Sequence, residues 1–149
     1  MFKNILIPTD GSPLSEAAIR QGLALAKAIN AKVTGLHVTP LFPVLAYRTD
    51  ALDGFEEGFA KDSQALADRY LAVISKMAKE MGVACDTQHS ISDQPYRAII
   101  ETAKEKDCDA IVMGSHGRSG LDAILLGSQA QKVLTHCQIP VMVVRAMSS

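Results

Sequence analysis

The chain lacks an excess of either charge: 15 Lys+Arg stand against 16 Asp+Glu, for a formal net charge of -1. That balance gives no bulk attraction for nucleic acid or for an acidic membrane surface. No apolar run approaches the roughly 18 residues of a membrane span. The opening "MFKNILIPTDGS" is too short in its apolar part, and too soon acidic, for a secretory leader; it is expected to form the first strand. Three cysteines, Cys85, Cys108 and Cys137, are odd in number and widely separated. They fit neither a disulfide framework nor a metal-ligand spacing, and read as small buried apolar residues in a reducing cytoplasm. His89 and His136 likewise have no partner at zinc spacing. With no repeat, low-complexity tract or linker, the 149 residues are expected to form one domain over 1–149.

What is present is an alternation of short apolar runs and longer stretches of helical period. "KNILIP" (3–8), "AKVTGLHVT" (31–39), "VACDTQHSI" (83–91), "DAIVMG" (109–114) and "IPVMVVR" (139–145) read as five strands. His37 falls within the second and reads as core or edge filler. The first helix follows "DGSP", with Ser12 as N-cap and Pro13 at the first helical position, and its face runs Ile19, Leu23, Ala26, Ile29. A two-proline loop covers 40–54. The second helix, ending at Met81 before Gly82, marks its face with Phe59, Leu66, Tyr70, Ile74, Met77 and Met81. Pro95 opens the third, with Tyr96, Ile99, Ile100 and Ala103 inward; "GSQAQKVLTHC" makes the fourth. Nearly unbroken apolar strands alternating with helices predict an open five-stranded parallel sheet covered on both faces, a three-layer α/β/α arrangement. Right-handed crossovers bring the strand C-terminal ends to one edge, where such sheets bind ligands.

At that edge the sequence concentrates glycine. "MGSHGRSGLDAILLGSQ" (113–129) contains Gly114, Gly117, Gly120 and Gly127 between a strand and a helix. Backbone without Cβ lets peptide N–H groups approach a phosphate closely, and a helix N-terminus adds unpaired donors and a favourable dipole. Gly114 and Gly117 would turn beneath a phosphate. Gly127 and Ser128 would present the fourth helix, and Arg118 would meet a terminal phosphate. The spacing is Gly-x2-Gly-x9-Gly-Ser. It is neither the P-loop, which has its lysine, nor GxGxxG. His116, inside the loop, reads as a capping or packing residue or a pH-dependent phosphate contact.

"NILIPTDGS", "GLHV", "DAIVMGSHGRSG", "LLGSQAQKVL" and "IPVMVVR" together resemble the universal stress protein family, in order and across essentially the whole chain. They resemble its ATP-binding branch in particular, which has the Gly-x2-Gly-x9-Gly-Ser/Thr motif. The resemblance implies a Rossmann-like fold of the adenine nucleotide alpha-hydrolase type. It implies that Pro8, Thr9 and Asp10 border adenine and ribose, that Val38 lines the adenine slot and that Met113 lies at the mouth of strand four. Gly114, Gly117, Arg118, Gly127 and Ser128 would hold ribose and phosphates. Gln129 departs from the family pattern of a small or β-branched residue, with its N–H still able to donate. Ser92 stands where many members have glycine.

The implied ligand is ATP, with ADP and AMP as alternatives, accompanied by Mg or Mn held mainly by the phosphates with Asp10 as a single carboxylate. The "VMVV" run of Val141, Met142, Val143 and Val144 would be an open sheet edge in isolation, and the resemblance implies a homodimer built across it. Three functions are consistent with this pattern: a nucleotide-binding regulatory protein acting on a protein partner in a stress response, a slow ATPase or nucleotidyl transferase, and a dimerising module with a vestigial site. The enzyme reading has only Asp10, His116 and Arg118 to orient water, and the SGGxDS-type loop of adenylating relatives is missing from "TDGSPLS". Binding is therefore favoured over catalysis.

Overall fold

All five apolar runs form one parallel sheet in a computed structural model that describes residues 1–41, 52–116 and 126–145. In chain order the elements are β1 (Asn4–Pro8), α1 (Pro13–Ile29), β2 (Lys32–Thr39), α2 (Leu52–Met81), β3 (Cys85–Ile91), α3 (Pro95–Glu105), β4 (Ala110–Gly114), α4 (Ser128–His136) and β5 (Val141–Val144). The strands lie in the order β3-β2-β1-β4-β5. Strand order therefore reverses beside β1, between it and β4, which is the switch point where open α/β sheets leave a crevice.

The alternation of side chains along β1 divides the core. Ile5 and Ile7 face α1 and α2, joining Val33, Val112, Ile19, Leu23 and Ile74. Leu6 faces α3 and α4, joining Leu36, Ile111, Met113, Ile99 and Val133. The expected three layers are all present. A central strand flanked on both faces has no polar side to show, which is why Ile5, Leu6 and Ile7 are all fully buried.

Helix boundaries follow local chemistry. The Ser12 hydroxyl accepts the Ser15 N–H at 3.2 Å, Pro13 occupies the first turn, and Asn30 ends α1 in the left-handed region at φ 59°. Two expectations for α2 need correcting. It begins at Leu52, inside the span read as loop 40–54; residues 42–51 lie outside the described set. Its buried stripe is Ala67, Leu71, Ile74 and Ala78, while Leu66, Tyr70 and Met77 are only partly covered. The stripe is rotated toward alanine because α2 lies close to the sheet: a Cβ on Gly35 would stand 2.9 Å from Ile74 Cδ1. Periodicity weighted by side-chain size misses a stripe built on small residues.

At the opposite end of the strands, Asp109 clamps β1 to the start of β4. Its carboxylate accepts the Lys3 N–H at 2.8 Å and the Asn4 N–H at 3.1 Å. Of the cysteines, Cys108 is buried as expected, whereas Cys85 and Cys137 are half-buried. Burial pushes the thiols of Cys85 and Cys108 up, so both stay protonated. Among the described residues, β5 pairs only with β4 and forms one sheet edge; β3 forms the other. Among the described residues, no helix is long and apolar enough to cross a membrane.

Ile74, fully buried against β2, tests this packing. Ile74→Ala is expected to lower unfolding free energy by about 2–5 kcal/mol in urea titrations; a loss below about 1 kcal/mol would contradict the close α2–sheet contact.

Candidate functional site

The turn after β1 is held from three sides. The Thr9 N–H donates to Leu36 O at 2.8 Å, continuing the ladder one residue past the strand. The Thr9 hydroxyl lies 3.0 Å from Ser15 Oγ and accepts the Gly11 N–H at 3.2 Å. Asp10 Oδ1 accepts the Ser12 N–H at 2.9 Å, an Asx turn that leads the chain into α1. Gly11 has φ +77°, and a Cβ there would lie 2.2 Å from Tyr70 Cε1. The left-handed backbone favours glycine, and any side chain there would displace the Tyr70 ring resting on it.

His37, read as filler, has a more specific part. Its Nδ1 lies 2.8 Å from the Thr9 carbonyl oxygen, which can only accept, so Nδ1 carries the proton. The ring meets Tyr70 edge-on at 5.1 Å and stacks on His89 at 6.0 Å. His89 is fixed in turn: Nδ1 donates to Gln64 Oε1 at 3.3 Å, and Nε2 accepts the Thr39 hydroxyl at 2.7 Å. This neutral form is favoured because burial pushes the His89 pKa down, the neighbouring His37 adds to that, and Asp68 opposes it. Sequence spacing carries no sign of this network, because parallel pairing of β2 with β3 is what places His37 opposite His89.

On the α3–α4 face, Val38 and Met113 come together in one apolar cluster beside Leu6 and Leu36. Beyond β4 the chain is pinned by Ser115, whose N–H donates to Val144 O at 2.8 Å and whose carbonyl accepts the Gly127 N–H at 2.8 Å. The Ser115 hydroxyl lies 3.0 Å from His116 Nδ1. Two of the expected glycines stand in close packing here. A Cβ on Gly114 would lie 3.2 Å from Leu14 Cγ, and one on Gly127 would lie 2.7 Å from Ser115 O. Their bareness lets the chain pack closely on itself at both ends of the loop. Gly117 and Arg118 lie outside the described residues.

Among the described residues, backbone donors without acceptors lie one step further on. α1, α3 and α4 begin at the carboxyl ends of β1, β3 and β4, and an α-helix leaves its first N–H groups without intrahelical partners. Ser12 caps α1. α3 is closed by Gln129, whose Oε1 accepts the Tyr96 N–H at 2.9 Å. α4 has Gly127 as N-cap and hence no side-chain cap. Among the described residues, no acceptor meets the N–H groups of Ser128, Gln129 or Ala130; the Gln131 N–H already reaches Gly127 O at 3.0 Å. The arrangement thus offers three directed donors and a positive helix end next to an apolar floor.

A separate cavity of about 430 Å³ is lined by Thr9, Gly11, Glu16, Arg69, Tyr70 and Val73. It adjoins the β1 turn but includes none of Gly114, Gly127 or Ser128. Among the described residues, no group of three or more His, Cys, Asp or Glu is placed to hold a metal ion.

Fold and crevice together define an open-sheet α/β protein with an uncapped helix start at its switch point. The sequence profile described as the universal stress protein family matches residues 1–145, and the chain belongs to that family. It is 34% identical over 145 residues to universal stress protein MJ0531 of Methanocaldococcus jannaschii, covering 97% of this chain and 83% of that protein. The solved structure of hypothetical protein MJ0577, from the same organism, is 29% identical with TM-score 0.83, covering 100% of this chain and 99% of that one. Two further solved structures share the fold. One is a universal stress protein in complex with cAMP (24% identical, TM-score 0.67, 96% and 97% covered). The other is the Archaeoglobus fulgidus protein in complex with dAMP (22%, TM-score 0.64, 95% and 97%).

The lowered pKa of His89 has a definite sign. The unfolded chain, with His near 6.5, binds the proton more readily than the fold does. Stability from this site is complete above about 6.5 and is lost as pH falls from there through the lower folded value. Urea midpoints are expected to drop between pH 7 and 5, and to drop less in His89→Gln. Equal pH slopes in the two proteins would contradict the neutral assignment.

Proposed function

We propose that the protein binds an adenine nucleotide in the crevice between β1 and β4, with ATP the preferred ligand and ADP or AMP as alternatives. The observation that carries this reading is the uncapped start of α4 beside the Val38–Met113 floor. Donors and dipole there suit phosphate, and the apolar floor suits a base. Asp10, at the turn opposite, suits a ribose hydroxyl. In this reading Pro8 and Thr9 complete the adenine and ribose border. Gly114, Gly117 and Arg118 line the phosphate path from the β4 side, while Gly127, Ser128 and Gln129 end it. Mg or Mn would be held mainly by phosphate oxygens, with Asp10 as its one protein carboxylate. The cAMP and dAMP complexes of proteins with the same fold agree with an adenine ligand.

The function is regulatory rather than catalytic. Nucleotide occupancy changes the surface that a cytoplasmic homodimer presents to a regulatory partner during stress. The β5 edge supports the dimer: among the described residues, Val141, Met142, Val143 and Val144 pair on one side only, and Met142 is 46% exposed. Hydrolysis would rest on Asp10, His116 and Arg118, a set too sparse for more than slow turnover.

Equilibrium dialysis is expected to show one saturable ATP site per chain below millimolar concentration. Gly117→Val should weaken it roughly tenfold or more, the equivalent of about 1.4 kcal/mol. Absence of saturable uptake in the unaltered protein would overturn the reading, and an unaffected Gly117→Val would remove Gly117 from the site.

A further inference from the structure

The start of α3 shows an unusual division of hydrogen bonds. Pro95 has no N–H to satisfy. The Arg97 and Ala98 N–H groups reach Gln94 O at 3.0 and 3.3 Å, and the Gln94 N–H reaches Ser92 Oγ at 3.0 Å. Gln94 supplies no side-chain cap. One donor is left, the Tyr96 N–H, and its acceptor comes from 33 residues away, from Gln129 Oε1 at 2.9 Å. Gln129 is the second residue of α4. One residue therefore closes the first turn of α3 with its side chain while its own N–H remains among the uncommitted donors at the start of α4.

We propose that Gln129 is a positioning residue for the phosphate end of the site, an inference that rests on the nucleotide reading above. Holding the side-chain oxygen on Tyr96 does two things. It keeps a long polar side chain from folding over the donors of its own helix, and it fixes the direction of the Ser128–Ala130 N–H groups against α3. With the side chain removed, α4 keeps its apolar packing on α3 but loses this polar tie at its first turn, and the Tyr96 N–H becomes an orphan donor beside the intended ones. The linkage is reciprocal: an anion held at α4 restrains Gln129, and so shields the Tyr96 amide, which need not touch the ligand.

The test uses calorimetric titration of the full chain with ATP and, separately, with adenosine. Gln129→Ala is expected to weaken ATP roughly fivefold, the scale of one hydrogen bond, and to leave adenosine within about twofold. Hydrogen exchange on the unaltered protein gives a second reading that needs no variant: saturating ATP should slow exchange of the Tyr96 amide by about threefold or more. If the unaltered protein binds neither ligand, the nucleotide reading falls and this inference falls with it. If it binds both but Gln129→Ala weakens neither, or weakens both equally, the positioning role alone is overturned. An ATP-independent Tyr96 exchange rate overturns it as well.

Discussion

The hydrogen bond from the Gly127 N–H to the Ser115 carbonyl, 2.8 Å long, is the constraint on which the carboxyl edge of this sheet depends. It brings Gly127, the residue before α4, back against Ser115, the residue after β4. It is accompanied by the Ser115 N–H to Val144 O bond at 2.8 Å, so β4, β5 and the start of α4 meet at one buried serine. A Cβ on Gly127 would press to 2.7 Å from the same carbonyl, which leaves glycine as the residue that permits the closure. Because Gly127 has no side chain to turn inward, α4 begins without a cap, and its next three donors are left for something else.

The β1 side is built on a different principle. There the turn is cross-bonded: Thr9, Asp10, Ser12 and Ser15 bond one another, and His37 holds the Thr9 carbonyl from below. A net worth near 1 kcal/mol for each bond is modest, but together they leave the turn few ways to rearrange. The crevice thus has one rigid, cross-bonded wall and one wall with donors to give. That asymmetry is a reasonable design for holding a ligand whose charge lies at one end.

Much of the architecture was legible because the physics is periodic. The five apolar runs, the Ser12-Pro13 start and the Gly82 stop all follow from rules that act within a few residues, and the strand and helix order then leaves a single layered arrangement. What could not be read acts across the fold. The α2 stripe of Ala67 and Ala78 is invisible to a scale that rewards large side chains. The pairing of His37 with His89 needs the β2–β3 register, and Gln129 meets Tyr96 only because α3 and α4 lie side by side. The glycine motif is legible as a strand-to-helix connection, but the close packing of Gly114 on Leu14 and of Gly127 on Ser115 depends on contacts that the motif does not spell out.

The central claim is that the backbone at the start of α4 receives phosphate. It is tested most directly by following backbone amide resonances of the isotopically labelled protein during an ATP titration. The account predicts that the Ser128, Gln129 and Ala130 amides shift furthest and saturate together, since hydrogen bonds to an anion move amide resonances strongly. Unmoved amides at those three positions, with the shifts gathered around Glu16, Arg69 and Tyr70 at the neighbouring cavity, would contradict it.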